Sequence, residues 1–145
     1  MLNFPKGLIF LGDAGAYTIG LFLGTLGMLL VERNEAITPL VLLIVFAYPM
    51  TELLFSVLRK TVRRGHRPDR PDKVHFHMLA YRRVGQMSSR SKLIRNSITG
   101  LLMNLFCFSG LLYILMMPMT RSTALLYFLV FVFIYVRLYK KLSLN

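Results

Sequence analysis

An uncharged run of 18 residues extends from Ala14 to Val31, and one aspartate, Asp13, stands directly before it. This length is close to the roughly 20 residues that a helix needs to cross a hydrocarbon core about 30 Å thick. A carboxylate at the mouth of such a helix is costly to desolvate, so chains that place one there usually supply a cation or a polar ligand for it. The sequence therefore predicts a membrane helix that begins at a candidate binding residue.

Apolar and basic residues occupy separate blocks of the chain. Of its 145 residues 55% are hydrophobic, yet the net charge is +12. A soluble domain of this size would spread its charges along the chain. We predict an all-α, polytopic helix bundle that forms a single membrane domain over 1–145. Its four transmembrane helices and its long basic loop are expected at about 7–31, 37–58, 98–117 and 123–139, with the loop at 59–97.

The 18 Lys and Arg residues are distributed unevenly between the two sides of this bundle. Twelve lie between Arg59 and Arg95, and only Arg33 and Arg121 fall in the two turns on the opposite side. The positive-inside rule then places both termini and the 59–97 loop in the cytoplasm. Asp13 is expected at the cytoplasmic mouth of the first helix, on the side of the loop.

The first helix has small residues at four-residue spacing, at Gly12, Ala16, Gly20 and Gly24. In a bilayer such a stripe lets another helix approach closely, so it predicts a packing face. Gly12 and Gly15, on either side of Asp13, could also direct backbone N–H groups at a helix start toward an anion.

Glu52 is a second carboxylate within a predicted span, about 10 Å from the basic end near Arg59 at 1.5 Å per residue. Ionisation without compensation would be expensive there, so Glu52 should be paired, hydrogen-bonded, protonated or near a watery cleft. A structural ion pair and a place in a catalytic cleft both satisfy that condition.

His75 and His77 stand in the basic loop, separated by one residue. In an extended segment both imidazoles would point to the same side and could bind one anion or metal. Solvated loop histidines are the alternative. The prolines nearby favour a shaped loop, and a basic loop beside a bilayer attracts anionic lipid or phosphate in any case.

Several short motifs follow one another along the chain. They are Asn3-Phe4-Pro5, Ile9-Phe10-Leu11-Gly12-Asp13-Ala14-Gly15, Pro49 with Glu52, and Pro71-Asp72-Lys73-Val74-His75-Phe76-His77. In this order they resemble one family, the polyprenyl-phosphate N-acetylhexosamine-1-phosphate transferases of bacterial membranes, and the resemblance covers about residues 3–84.

The resemblance implies an enzyme of the bacterial cytoplasmic membrane that initiates lipid-linked polysaccharide synthesis. It would transfer an N-acetylhexosamine 1-phosphate from a UDP-sugar to undecaprenyl phosphate, with magnesium, or manganese in its place, as the cofactor. Asp13 would be the metal ligand, and His75 and His77 would contact the diphosphate. Further contacts to the substrate are implied for Arg67, Arg70, Lys73, Gly12 and Gly15.

The chain also departs from this family. Met78 stands where many members have a third histidine, Glu52 stands where aspartate is commoner, and the paired aspartates of the family's earlier helices are absent. We therefore expect a C-terminal part of a larger enzyme, inactive alone, that works with the missing N-terminal helices.

The leading alternative is a non-enzymatic small membrane protein whose basic loop binds anionic lipid or a protein partner. A metal or ion transporter is a third interpretation. Binding of nucleic acid is not expected, because the loop has too few regularly spaced aromatic residues for a stacking platform.

Overall fold

A computed structural model describes residues 11–62, 74–87, 91–118 and 120–144, and all regular secondary structure within them is helical. The described helices are α1 (Gly12–Glu32), α2 (Val41–Val45), α3 (Ala47–Val62), α4 (Phe76–Met87), α5 (Lys92–Met116) and α6 (Arg121–Ser143). The all-α prediction is confirmed for these residues.

Three helices, α1, α5 and α6, are long and apolar enough to cross a membrane. They leave many large apolar side chains exposed, such as Phe22 on α1, Leu105 on α5 and Phe133 on α6. Exposed apolar surface on this scale is typical of helices that face lipid. The chain is therefore a helical membrane protein.

The predicted second span, 37–58, is divided at Phe46 into α2 of 5 residues and α3 of 16 residues. Pro49 explains the division. It has no backbone N–H for the carbonyl of Val45, four residues earlier, and its ring crowds that carbonyl. Hydropathy alone does not register a break of this kind.

The predicted loop at 59–97 is corrected by the structure. It contains α4, while α3 continues to Val62 and α5 already begins at Lys92. Phe76, Leu79 and Ala80 are the buried residues of α4. Their spacing places them on one face of a helix, so burial against α5 and α6 stabilises the segment as an amphipathic helix rather than an irregular loop.

Aromatic side chains make the main core, at the basic end of the molecule. Phe76 and Leu79 of α4 pack on Tyr135 and Tyr139 of α6, and Phe55 of α3 lies against both tyrosines. This cluster joins three helices and fixes the start of α4, where the two loop histidines lie.

A smaller core joins α2 to α5 and α6 through Val41, Ile44 and Ala124. The backbones of α2 and α5 approach closely there, since a Cβ on Gly110 would lie 2.9 Å from the carbonyl oxygen of Ile44. A glycine is therefore needed at this contact.

Helix α1 stands apart from the rest of the described chain. None of its residues is buried, and its contacts lie toward its C-terminal end, where Val31 packs on the smaller core. Added Cβ atoms on Gly12, Gly20 and Gly24 would meet no described atom within 4 Å. The predicted packing face thus has no partner among the described residues.

Candidate functional site

Glu52 is the centre of a hydrogen-bond cluster that links three helices. One carboxylate oxygen, Oε1, lies 2.9 Å from Nδ1 of His75, and the other, Oε2, accepts a hydrogen bond of 2.9 Å from the Tyr135 hydroxyl. The backbone N–H of Phe76 also donates to Oε1, at 3.2 Å. The Glu52 side chain is only 15% exposed, so these partners supply the hydrogen bonds that a largely buried carboxylate requires.

His75 is oriented by this cluster. An ionised carboxylate only accepts hydrogen bonds, so Nδ1 of His75 carries the proton when Glu52 is ionised. In the neutral imidazole, Nε2 then keeps its lone pair and can accept a proton or a hydrogen bond. The side chain of His75 is 31% exposed, which leaves the ring accessible from solvent.

The imidazoles of His75 and His77 are stacked, with ring centroids 5.9 Å apart and an angle of 8° between the planes. The sequence predicted neighbouring rings from an extended segment. The structure produces them differently, since His75 directly precedes α4 and His77 lies in its first turn. The start of a helix, anchored through Glu52, holds the pair together.

His77 also lines a cavity of about 610 Å³ between α4 and α5. The wall of this cavity is mainly apolar, and Arg82 and Tyr81 of α4 and Asn96 and Thr99 of α5 are among the residues that line it. Met78 lines the same cavity. The second imidazole therefore borders a space large enough for a small ligand, and Arg82 borders the same space.

The pKa of His77 is lowered from its usual 6.5, mainly because burial disfavours the imidazolium; Glu52 raises this pKa in part, and His75 lowers it. We expect the His77 pKa to lie below 6.5, measured by pH titration of its ring protons by NMR in detergent micelles. The unfolded chain then binds the proton more readily. The stabilising contribution of neutral His77 is complete above pH 6.5 and is lost as the pH falls through the lowered pKa.

A matched pair of variants tests the electrostatic part of this result. Glu52→Gln should lower the His77 pKa further, because it removes the charge that raises it. Glu35→Gln removes an exposed charge from the turn after α1 and should leave the His77 pKa unchanged. A His77 pKa above 6.5 in the unmodified chain would contradict the arrangement of buried and neighbouring groups described here.

Asp13 lies in the first turn of α1 with its side chain exposed. Gly12 before it has φ +68°, a left-handed conformation that favours glycine. Within the described ranges, no hydrogen bond or ion pair connects Asp13 to Glu52, His75 or His77. The structure thus brings Glu52 and the histidines together but places Asp13 on a separate helix end.

A divalent cation bound to Asp13 would need further ligands around it. No group of three or more His, Cys, Asp or Glu side chains is suitably placed among the residues that the structure describes. Magnesium is commonly held by one or two carboxylates together with water and substrate phosphates. An exposed, unshared carboxylate such as Asp13 fits one of those positions.

Arg67, Arg70 and Lys73 lie outside the described residues, and their predicted contacts to substrate remain predictions. Gly15 follows Asp13 in α1, and a Cβ there would lie 2.8 Å from Cδ1 of Leu11. That atom ends a flexible side chain, so the structure places no backbone restriction on position 15.

Tyr135 was missed by the reasoning from sequence, although it donates a hydrogen bond to Glu52. A signal was present in the fourth apolar run, where Phe131, Tyr135 and Tyr139 recur at four-residue spacing. A tyrosine repeated on one face of an apolar helix often turns its hydroxyl toward a polar partner. The partner of Tyr135, Glu52, could be identified only from the packing of α3 against α6.

Comparison with known proteins finds relatives of one kind. Over 125 residues, or 86% of the chain, it is 27% identical to the undecaprenyl-phosphate alpha-N-acetylglucosaminyl 1-phosphate transferase of Thermotoga maritima. It is 34% identical over 84 residues, or 54% of the chain, to the protein of the same name from Haemophilus influenzae. It is 32% identical over 87 residues, or 52% of the chain, to the decaprenyl-phosphate N-acetylglucosaminephosphotransferase of Mycolicibacterium smegmatis.

The matched regions are 40%, 22% and 21% of the lengths of these three relatives, so the chain spans less than half of each. No family model and no solved structure matches the chain. The relatives nevertheless confirm the resemblance that the motifs indicated: this chain is similar to the polyprenyl-phosphate N-acetylglucosamine-1-phosphate transferases of membranes, and it corresponds in length to a part of such an enzyme.

Proposed function

We propose that this chain forms the C-terminal part of a transferase that moves an N-acetylhexosamine 1-phosphate from a UDP-sugar to undecaprenyl phosphate. The observation that carries the proposal is the anchored imidazole pair. Two stacked rings, one fixed by Glu52 and one facing a cavity, stand in a chain whose relatives bear the names of such transferases. The remaining helices of the enzyme would complete the site.

The proposed topology has four spans, with α2 and α3 together forming one span bent at Pro49. Both termini and the segment from Arg59 to Arg95 lie on the cytoplasmic side of a bacterial inner membrane, as the distribution of basic residues favours. This topology places the start of α1, with Asp13, on the same side as the histidine pair. A UDP-sugar is available on that side.

The proposed reaction forms one phosphorus–oxygen bond and breaks another. An oxygen of the lipid phosphate attacks the phosphorus next to the sugar, and UMP leaves with the electrons of the broken bond. The product is the sugar on a lipid diphosphate. Because little covalent chemistry is required of the protein, positioning of the two phosphates and neutralisation of their charge dominate catalysis.

The residues of this chain would divide that work. His77 and Arg82 would bind the diphosphate from the wall of the cavity between α4 and α5, and His75 would contact it through Nε2 when that nitrogen carries a proton. Glu52 is a positioning residue that acts through His75. Asp13 would hold a magnesium ion, which when bound would neutralise phosphate charge, and Arg67, Arg70 and Lys73 would add positive charge.

The test uses a complete enzyme in which these motifs are joined to the missing helices. Membranes containing it should transfer labelled N-acetylglucosamine 1-phosphate from UDP-N-acetylglucosamine to undecaprenyl phosphate. His77→Asn should lower the rate by about tenfold to a hundredfold, the usual cost of losing one hydrogen bond to a charged group. Arg137→Gln, which changes an exposed residue of α6 outside the cavity, is the matched control and should retain the rate.

The 145-residue chain alone should show no transfer, because Asp13 and the histidine pair would lack the rest of the site. Transfer by the isolated chain would contradict its assignment as a part. Equal rates for His77→Asn and Arg137→Gln would remove the imidazole pair from the reaction.

A further inference from the structure

A polar cavity of about 380 Å³ lies on another side of α4, between the ends of α3 and α6. Arg59, Arg82 and Arg83 line it, together with Gln86 and Ser143. None of its described lining residues is acidic. Three guanidinium groups around one small space are typical of a site for a phosphate group.

The charge balance of this region favours an anion even where individual side chains are paired. Twelve Lys and Arg residues lie between Arg59 and Arg95, against two acidic residues, Asp69 and Asp72. Pairing with those two carboxylates still leaves an excess of ten positive charges. An excess of this size beside a bilayer attracts anionic headgroups.

Arg83 connects the polar cavity to two apolar ones. The same residue lines neighbouring cavities of about 360 and 410 Å³, whose walls share Phe76, Leu138 and Leu142. The larger of them continues along α5 to Leu102 and Phe106. At 1.5 Å per residue, Phe106 is about 20 Å from the start of α5 at Lys92, so this groove extends toward the apolar part of the molecule.

We propose that this groove binds an anionic membrane phospholipid, with the phosphate on Arg59 and Arg83 and the acyl chains in the apolar cavities. A cationic end followed by an apolar channel matches a phosphate head with hydrocarbon chains. Free phosphate would use only the first part, and a zwitterionic lipid would not match the excess positive charge. The site goes beyond the transferase reaction and does not depend on it.

The lipid substrate of the proposed reaction is a different ligand for geometric reasons. His77 and Arg83 are six residues apart on α4, which separates their directions by roughly 120° around a helix of 3.6 residues per turn. His77 lines the cavity between α4 and α5 and Arg83 lines the groove, whereas Arg82 borders both. A phosphate on Arg83 would therefore point away from the imidazole pair.

Native mass spectrometry of the 145-residue chain in detergent tests the assignment. The chain should retain phosphatidylglycerol in preference to phosphatidylcholine with the same acyl chains. Arg83→Gln should weaken phosphatidylglycerol binding about fivefold, the usual effect of one basic side chain near an anionic lipid. The matched control, Arg137→Gln, removes an equal charge from α6 at a residue that does not line the groove and should bind as the unmodified chain does. Circular dichroism of each variant checks that it retains its helices.

The competing ligands have distinct outcomes. Equal binding of phosphatidylcholine, or equal weakening by Arg83→Gln and Arg137→Gln, would overturn the proposal. Displacement of phosphatidylglycerol by inorganic phosphate would show that the groove binds anions in general and not a phospholipid. Displacement by an equimolar amount of undecaprenyl phosphate would assign the groove to the reaction's acceptor instead. Retained phosphatidylglycerol in the presence of both is the expected result.

Discussion

Replacing Asp13 by asparagine is expected to lower sugar-phosphate transfer by the complete enzyme about 1000-fold, the upper range for losing one group that stabilises transition-state charge. Asparagine keeps the size of the side chain and removes its charge, so the start of α1 should remain intact. The variant should transfer more slowly, and its rate should depend differently on the magnesium concentration. The measurement is the initial rate of transfer over a titration of magnesium.

Glu32→Gln is the matched control for this experiment. Glu32 is exposed at the opposite end of α1, so the variant removes the same charge from the same helix at the far side of the proposed membrane. Its rate should stay close to that of the unmodified enzyme. A near-normal rate for Asp13→Asn would exclude Asp13 as a ligand of an essential metal ion.

Glu52→Ala is expected to lower the free energy of unfolding by about 3 kcal/mol, because it leaves the Tyr135 hydroxyl and the Phe76 N–H without their acceptor, at roughly 1–3 kcal/mol for each buried group. It also releases His75 from its anchor. The same variant should therefore lower transfer by the complete enzyme. Stability can be measured by unfolding of the chain from detergent micelles with sodium dodecyl sulfate.

Two variants distinguish the stability that comes from the hydrogen bonds around Glu52 from any general effect of removing an acidic side chain. Glu52→Gln keeps an amide oxygen for Phe76 and His75, so its loss of stability should be clearly smaller. Glu35→Ala, in the exposed turn after α1, should leave stability unchanged. If Glu52→Ala unfolds at the same point as Glu35→Ala, the hydrogen bonds around Glu52 do not hold the three helices together.

The helical membrane class could be predicted from sequence because hydropathy depends on composition within one segment. The runs that became α1, α5 and α6 were all recognised in this way. The division between α2 and α3 was not, since Pro49 changes backbone hydrogen bonding without changing apolarity. Helix α4 was missed because basic residues hid the apolar spacing of Phe76, Leu79 and Ala80 within a charged segment.

The site was predictable only in its components. Residue type and position were enough to identify candidate site residues. These were the carboxylates near or within apolar runs and the His-x-His pair. Their pairing could not, because His75 meets Glu52 across 23 residues of sequence and Tyr135 meets it across 83. The sequence predicted that the basic segment attracts anionic lipid or phosphate, but it did not predict the arginine-lined groove, whose lining residues come from four helices.

The sequence by itself determined that this chain is a helical membrane protein with its positive charge concentrated between Arg59 and Arg95, because bilayer insertion depends on segment length and apolarity. Only the tertiary structure decided that Glu52 anchors the histidine pair while Asp13 remains on a separate, exposed helix end. The physical reason is that hydrogen bonds act over about 3 Å and depend on how distant segments pack. Helix packing brought α3, α4 and α6 within that range and left the start of α1 outside it.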